Sequence, residues 1–320
     1  MEIDIMVSIL IPFYGVEKYF ERCLNSVFRQ TYQNVEYVFV DDCSTDLSME
    51  LLKKAILKYR ISSDQYTIIS HNQNEGVAKS RIECINYAKG DYVYFVDADD
   101  WIESNAIEQM VGATKGGFVD IVGCDFMKDY LDEISYYYHE NYTNTCKGNM
   151  IKCLNYEIAT VLWKLLIKRR LFDYFTISPI NIGEDYVISV KLFYYANSFV
   201  SLDKAFYHYV QYNSNRLSFQ SLRSITDHIN CVKEVESFCI EKGIYDDIVA
   251  FKLNLRKFNI KSNFLTKHLL DYRAFKTTFP ESNGMWRYLG YSHKEKIKFW
   301  LAEHNLYCLI RFIKKYERFN

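Results

Sequence analysis

The first hundred residues alternate between short apolar runs and longer segments in which apolar residues recur at helical spacing. The runs at 7–11, 35–40, 66–70 and 92–96 predict β-strands, and the segments 16–29, 49–59 and 77–88 predict α-helices. A helix between each pair of strands indicates βαβ units. We therefore expect an α/β fold whose mostly parallel sheet is flanked by helices.

Polar residues follow four of these strands at the point where each strand ends. They lie within P-F-Y at 12–14 after the first strand, at Asp41 and Asp42 after the second, within H-N-Q-N at 71–74 after the third and within D-A-D at 97–99 after the fourth. In an open α/β sheet, ligands bind at the carboxyl ends of the strands. The chain has neither a G-x-G-x-x-G turn nor a Walker loop, so the pattern does not indicate NAD binding or P-loop chemistry.

The run at 94–100 leads an apolar strand directly into Asp97, Asp99 and Asp100. Residues at i and i+2 of an extended backbone point the same way, so Asp97 and Asp99 could share one divalent cation or one ligand. The alternative is a solvated turn in which Asp100 caps a helix that begins near Trp101. The short pattern alone does not decide between the two.

Five blocks of sequence follow one another at these strand ends and helix starts. They are S-I-L-I-P-F-Y at 8–14, C-L-N-S-V-F-R-Q-T-Y at 23–32, V-D-D-C-S-T-D at 40–46, N-E-G-V-A-K-S-R at 74–81 and F-V-D-A-D-D at 95–100. In order and spacing, they resemble the N-terminal half of a family 2 glycosyltransferase with the GT-A fold. Gly15 and Cys43 depart from the family pattern, which has asparagine and glycine at these places.

The resemblance implies a Rossmann-like GT-A sheet and an inverting transferase that uses a UDP-sugar or a related nucleotide sugar. Pro12 and Tyr14 would frame the base pocket, with the tyrosine ring stacked on uracil. Asp41 would accept a hydrogen bond from the pyrimidine N3–H, and Asp97 would hold a ribose hydroxyl. Asn74 would lie near the nucleotide.

The resemblance also assigns residues to the diphosphate and its metal. Asp99 would bind Mg²⁺ or Mn²⁺, both of which prefer oxygen ligands and bind readily to phosphates. The segment 207–218 resembles the part of relatives that closes over the diphosphate, where His208 would ligate the metal or donate to phosphate. In the same segment, Arg216 would neutralise leaving-group charge. Arg81 would donate to phosphate or to Asp97, unless it is a surface helix charge.

A catalytic base is implied by I-G-E-D-Y at 182–186, which resembles the family's E-D motif at a helix start. Asp185 would take the proton of the acceptor hydroxyl, with Glu184 on the acceptor side as the fallback base. The alternative is that both are ordinary acids in a first helical turn. Trp163 lies in a segment that lines the acceptor side in the family, and it would be either a sugar platform or a core residue.

The sequence leaves two other functions open. One is a nucleotide-sugar-binding protein without catalysis, although Asp99, Asp185 and His208 together disfavour it. The other is a nucleotidyltransferase, which needs a glycine-rich, basic phosphate loop that 12–15 does not supply. The expected reaction is hexosyl or N-acetylhexosaminyl transfer to a glycan or polyprenyl-linked acceptor in surface polysaccharide synthesis, without a nucleic-acid partner.

Composition indicates a folded protein in a reducing compartment. Nine cysteines without a C-x-x-C pair and the lack of a leader-like N-terminus predict a cytoplasmic protein. No run of eighteen apolar residues exists, so we expect no membrane span.

Charge divides the chain into two predicted domains. Residues 1–220, the expected catalytic domain, carry 21 basic and 29 acidic side chains, whereas residues 221–320 carry 18 basic and 11 acidic ones. The second region has helical apolar spacing. Its basic, aromatic end at 285–320 would contact the inner face of the cell membrane, the catalytic domain or a second subunit of a homodimer.

Overall fold

The computed structural model describes residues 4–131, 134–213, 222–266 and 270–310. The described residues divide into two compact units, one comprising 4–153 with 157–213 and the other comprising 154–156 with the residues from 222 onward. The predicted domain boundary after residue 220 lies outside the described residues. Among the described helices, none has the length and hydrophobicity that crossing a membrane requires.

The first unit contains every strand and helix predicted for the first hundred residues. Its strands are β1 (Val7–Phe13), β2 (Val35–Asp41), β3 (Tyr66–Ser70), β4 (Tyr92–Phe95), β5 (Trp101–Ile102), β6 (Ile121–Asp129), β7 (Ser135–Tyr138), β8 (Leu165–Lys168) and β9 (Phe199–Val210). Its helices are α1 (Glu17–Val27), α2 (Ser48–Tyr59), α3 (Val77–Tyr87), α4 (Ala106–Ala113), α5 (Cys146–Cys153) and α6 (Glu184–Tyr195).

These strands form one mixed sheet in the described structure, in the order β3-β2-β1-β4-β8-β6-β9-β5, with β7 paired to β6. Strands β3, β2, β1 and β4 pair in parallel, and so do β6 and β9. Strand β8 is antiparallel to both of its neighbours, β4 and β6. Most paired residues therefore belong to parallel pairs, which confirms the predicted α/β fold.

Strand β4 lies in the middle of the sheet and is completely buried. The residue before it, Asp91, follows Gly90, whose backbone N–H donates to Ser8 Oγ at 2.8 Å. A Cβ at Gly90 would lie 2.7 Å from the backbone nitrogen of Ser8 and 2.8 Å from the carbonyl oxygen of Met6. Only glycine therefore allows this close approach of the chain to β1.

The helix predicted to begin near Trp101 is wrong. Trp101 and Ile102 form the short strand β5, in which Trp101 pairs with His208 and Ile102 with Tyr207. The next helix, α4, begins only at Ala106. The aspartates before Trp101 resemble helix caps, but pairing with β9 holds the chain extended here.

The second unit consists of helices, which confirms the predicted helical C-terminal region. They are α7 (Leu222–Glu241), α8 (Asp247–Ser262), α9 (Tyr272–Thr277) and α10 (His293–Glu303). Phe258 of α8 is buried against the rings of Phe275 and Phe299. Beside it, Lys257 Nζ lies 2.7 Å from carboxylate oxygens of both Glu236 and Glu281. Phe258 of α8 and Phe299 of α10, which belong to the predicted apolar pattern, thus lie in the core of the unit.

We expect Gly90→Ala to destabilise the protein by about 1–3 kcal/mol, because the new methyl group would collide with backbone atoms that have no room to move. Gly112→Ala is the matched control, since Gly112 lies in α4 and a Cβ there meets nothing within 4 Å. It should raise stability by up to about 1 kcal/mol. Urea unfolding measures both variants. A Gly90→Ala protein as stable as the parent would contradict the close approach of β4 to β1.

Candidate active site

Backbone hydrogen bonds hold the ends of the first three strands together at one edge of the sheet. The N–H of Asp42 donates to the carbonyl of Phe13, and the N–H of His71 donates to the carbonyl of Asp41, both at 2.9 Å. The buried carboxylate of Asp41 accepts a hydrogen bond from the backbone N–H of Ser44 at 2.9 Å. Cys43 between them has a φ of +67°, so it occupies a turn conformation that favours glycine.

Three of the residues assigned to the nucleotide surround this edge. Pro12 is buried within β1, whereas Tyr14, just beyond the strand, is 52% exposed. Asn74 is exposed, and its amide donates to the carbonyl of Asp42 at 3.4 Å. The ring of Tyr14 is therefore accessible to a flat ligand, while Pro12 can contribute only through the backbone and the shape of the strand.

Asp42 organises the loop that follows β3, a role that sequence reasoning missed. Its buried carboxylate accepts hydrogen bonds from the backbone N–H groups of Glu75 at 2.7 Å and Gly76 at 2.8 Å. It also lies 2.7 Å from Nδ1 of His71, whose Nε2 is 3.0 Å from Glu83. Burial lowers the pKa of His71, but the hydrogen bonds to the two carboxylates outweigh this effect and raise it. The position of Asp42 directly after β2 is the sequence feature that could have indicated this role.

The loop after β4 is held by residues from the far side of the sheet. The Tyr207 hydroxyl donates to the carboxylate of Asp100 at 2.9 Å and accepts from the backbone N–H of Asp97 at 3.1 Å. The N–H of Val210 donates to the other oxygen of Asp100 at 2.8 Å. Asp99 accepts from the side-chain amide of Asn213 at 2.8 Å. Asp100 is therefore a buried anchor of the loop and not a helix cap.

Arg81 brings together three carboxylates from different parts of the chain. This buried side chain on α3 donates from Nη2 to Asp97 at 3.0 Å. Its Nη1 donates to Asp185 at 2.5 Å and also to Glu184. Arg81 is thus not the surface helix charge that the sequence left open. Glu184 and Asp185 lie in the first turn of α6, as predicted.

Burial and charge act in opposite directions on this cluster. Burial raises the pKa of Asp185 well above its usual range, and the carboxylates of Glu184 and Asp97 raise it further, while Arg81 lowers it. The pKa of Glu184 is also raised, mainly by burial and against the effect of Arg81. Burial opposes the charge of Arg81, but the three carboxylates outweigh it and raise the pKa of the guanidinium. Asp185 is consequently a carboxylate whose basicity exceeds that of an ordinary aspartate.

His208 does not join this cluster in the described structure. His208 is buried in β9, its ring stacked on Trp101 with the ring centroids 3.4 Å apart. Its Nδ1 lies 3.1 Å from Asp129, and its Nε2 lies 3.0 Å from Glu103. Both ring nitrogens thus have carboxylate partners in this structure, and the metal-ligating role of His208 stays a prediction. Arg216 lies outside the described residues.

Trp163 is a core residue and not an exposed sugar platform. Its side chain is buried, and its ring stacks on that of Tyr207 with the centroids 4.2 Å apart and the planes 13° apart. Phe126 covers it edge-on at 4.9 Å. Since Tyr207 holds the loop after β4, Trp163 acts behind the candidate site by packing against this tyrosine.

The carboxylates of Asp97 and Asp99 are suitable ligands for a divalent cation. Both residues are half-buried at the end of β4 and offer the oxygen atoms that Mg²⁺ and Mn²⁺ prefer. A separate group in the described residues, Asp125, His139 and Asp203, has possible ligand atoms within 4.8 Å of one another. That group does not include the predicted metal residues, and Tyr137 and His139 already bind the carboxylate of Asp125.

Comparison with known families confirms the resemblance found in the motifs. Residues 8–193 match the family described as Glycosyl transferase family 2. Among relatives, the chain is similar to "Glycosyltransferase GlyA" of Streptococcus pneumoniae serotype 4, with 30% identity over 220 residues. This match covers 65% of the chain and 31% of GlyA, so the chain corresponds to less than a third of that relative's length.

Two solved structures resemble the fold. The crystal structure of S. aureus TarS 1-349 in complex with UDP-GlcNAc has a TM-score of 0.60 and 20% identity, covering 93% of this chain and 81% of TarS 1-349. The structure of mannosyltransferase PcManGT from Pyrobaculum calidifontis in complex with GDP-Man and Mn²⁺ has a TM-score of 0.52 and 16% identity. This match covers 95% of this chain and 81% of PcManGT. At these identities, the likeness shows a common fold.

The contacts of His71 predict a pH dependence of stability. A raised pKa means that protonated His71 binds its two carboxylates more strongly in the folded state than in the unfolded chain. Its stabilising contribution is complete below the unfolded pKa of about 6.5 and is lost as pH rises through the higher folded pKa.

The free energy of unfolding of the parent and of His71→Gln, measured by urea at several pH values, should therefore differ more at low pH than at high pH. His139→Gln is an exposed comparison: Asp125 also raises the pKa of His139, so its parent–variant difference should have the same sign of pH dependence but be smaller, because water screens an exposed pair. A parent–variant difference that is independent of pH would argue against a charged His71 between Asp42 and Glu83.

Proposed function

Because the chain belongs to glycosyl transferase family 2, we propose that it transfers a sugar from a UDP-sugar to a hydroxyl group of an acceptor, with inversion at the anomeric carbon. The observation that carries the proposal is the convergence on Arg81 of Asp97, from the strand-end loop, and Asp185, from α6. This contact brings a donor-side carboxylate and a candidate base within the span of one guanidinium group.

The donor would lie across the carboxyl ends of β1, β2 and β4. Tyr14 offers an accessible ring for the uracil, and Asp41 has a fixed carboxylate for the N3–H. Asn74 would lie beside the nucleotide, and Asp97 would accept from a ribose hydroxyl. TarS shares the fold and has been solved in complex with UDP-GlcNAc, which supports a UDP-linked donor.

Asp99, with Asp97 beside it, would hold Mg²⁺ or Mn²⁺. The bound cation would supply positive charge for the diphosphate leaving group. The donor set of carboxylate oxygens supports the proposal, as does the complex of PcManGT with Mn²⁺. The amide of Asn213 donates to Asp99 and keeps its carboxylate in place.

Asp185 would act as the general base of a single displacement. The acceptor oxygen attacks the anomeric carbon while the bond from that carbon to the diphosphate oxygen breaks, and the hydroxyl proton passes to the carboxylate of Asp185. A pKa raised by burial makes this carboxylate a stronger proton acceptor than an ordinary aspartate. Glu184 is the fallback base, although its residue is more deeply buried than Asp185.

The acceptor would be a glycan or a polyprenyl-linked saccharide in surface polysaccharide synthesis, with the protein at the inner face of the cell membrane. Helix α10 exposes Ile297 and Trp300, three residues apart on one face. Residues 285–320 carry 8 basic and 3 acidic side chains, which suits an anionic lipid surface. The family resemblance supports a hexosyl or N-acetylhexosaminyl donor group.

Asp185→Asn should lower the rate of sugar transfer by about 10²–10⁴-fold, because the amide cannot take the acceptor proton. Binding of UDP, followed by calorimetry, should stay close to that of the parent. The control is Asp203→Asn, an exposed aspartate in β9, which should leave transfer unchanged. Transfer is measured as UDP release with a panel of UDP-sugars and acceptors. Tight UDP binding without transfer or hydrolysis by the parent would instead indicate a catalytically silent binding protein.

The double variant Ile297→Ser/Trp300→Ser should bind vesicles of anionic phospholipid several-fold more weakly than the parent, because it removes apolar side chains that would enter the interface. Leu57→Ser, which removes an exposed leucine on α2 in the other unit, is the matched control and should bind normally. Flotation of the full-length proteins measures binding. Equal flotation of all three would exclude α10 as a membrane contact.

A further inference from the structure

We propose that Arg81 is a positioning residue for Asp185, holding the base against the donor-side carboxylate Asp97, and that it does not bind the diphosphate of the donor. This inference rests on the proposed function, because it assigns Asp185 as the base. It departs from the expectation that Arg81 offers a forked pair of donors to phosphate. Four observations on the described residues support it.

The first observation is how the hydrogen-bond donors of Arg81 are used. A guanidinium group has five N–H donors, two of them on each terminal nitrogen. Nη1 donates to both Glu184 and Asp185, and Nη2 donates to Asp97. One donor of Nη2 and the single donor of Nε remain. An end-on pair of bonds to a phosphate, which uses both terminal nitrogens, would therefore require the loss of a carboxylate contact, and a side-on pair would have to use the buried Nε.

The second observation is the burial of the side chain. Arg81 is 4% exposed, and its Nε is buried without a hydrogen-bond partner among the described residues. By contrast, the side chain of Asp97 is 30% exposed and that of Asp185 is 18% exposed. The carboxylates thus reach towards solvent, where substrates arrive, while the guanidinium lies behind them.

The third observation is the balance of charge. One cation faces three carboxylates, so at most one of them can be neutralised by Arg81. A diphosphate placed on the same guanidinium would add negative charge beside carboxylates that are already crowded. The charge of Arg81 instead favours the ionised form of Asp185, and a carboxylate must be ionised to accept a proton.

The fourth observation is a second contact between the elements that carry Arg81 and Asp185. The backbone N–H of Ala78, in the first turn of α3, donates to the side chain of Asn181 at 3.4 Å, just before α6. Gly76 leaves the space for this contact, since a Cβ there would lie 2.2 Å from the same Asn181 oxygen. The starts of α3 and α6 are therefore joined independently of Arg81, which leaves the guanidinium free to orient side chains.

The test compares Arg81→Gln and Arg81→Lys with Lys79→Gln, a control on the same helix whose lysine is half-exposed and contacts only Glu83 among the ion pairs described. Calorimetry measures the affinities for UDP and uridine in Mg²⁺. Transfer kinetics measure kcat, KM and the pH dependence of kcat. Thermal unfolding identifies any variant that does not fold.

We expect Arg81→Gln to bind UDP and uridine almost as the parent does, while kcat falls by about 100-fold or more. The acidic limb of the kcat–pH profile should move to higher pH, because the cation that lowers the pKa of Asp185 is gone. Arg81→Lys should recover part of kcat and shift the limb less. Lys79→Gln should match the parent in all measurements.

A double variant separates a positioning role from a merely structural one. If Arg81 acts through Asp185, then Arg81→Gln/Asp185→Asn should transfer no more slowly than Asp185→Asn alone. If the two substitutions together lower the transfer rate by the product of their separate effects, the proposal is overturned. It is also overturned if Arg81→Gln folds but the acidic limb of its kcat–pH profile does not move. A loss of UDP affinity with normal uridine affinity would overturn it in favour of phosphate binding. Absence of transfer by the parent with every donor tested would instead count against the proposed function itself.

Discussion

The position of β4 between a parallel and an antiparallel neighbour is the constraint on which the candidate site depends. β4 pairs with β1 on one side and with β8 on the other, and its four residues are buried. Gly90 lets the chain enter the strand in contact with the backbone of β1. Because both edges of β4 are paired, the acidic loop at 97–100 begins at a fixed position relative to β1 and β8.

The antiparallel part of the sheet then determines the shape of that loop. Tyr207 of β9 contacts both ends of the loop, at the N–H of Asp97 and the carboxylate of Asp100. Trp163 packs on the ring of Tyr207, which restricts the position of its hydroxyl. Burial, Asp99 and Asp97 all raise the pKa of Asp100. Asp100 is thus the buried anchor of the loop, and the half-buried Asp97 and Asp99 can face a ligand.

Local patterns were sufficient to predict the parallel part of the fold. Strand β3 was predicted to the residue, and Glu184 and Asp185 were placed in the first turn of a helix, because apolar runs and first-turn acids are properties of neighbouring positions. The partners of Asp100 could not be predicted this way, since Tyr207 lies 107 residues further along the chain. The same applies to Arg81 and Asp185, which are 104 residues apart. The motifs identified these side chains, but only packing shows which of them meet.

The features that short stretches of sequence left wrong or undecided have the same physical origin. Aspartates before an apolar residue are typical of a helix start, and the extended conformation at Trp101 depends on pairing with β9, which no short window contains. His208, which the motifs predict as a metal ligand, lies between Asp129 and Glu103, and its metal-binding role stays a prediction. Tryptophan suits a sugar platform and a core equally well. For Trp163, the arrangement of Phe126 and Tyr207 around the ring decides the question.

The charges of the cluster connect the proposed roles of its members. Arg81 already faces Asp97, Glu184 and Asp185, so its charge is not available to offset a second group of anions. A nucleotide diphosphate bound beside Asp97 and Asp99 would bring further negative charge to the same edge of the sheet. Like charges that lie close together repel strongly where water is scarce. Under the proposed function, a donor of this kind would need a cation of its own, for which we propose Asp99 as the ligand. Because Arg81 holds the base, Mg²⁺ or Mn²⁺ would supply that positive charge.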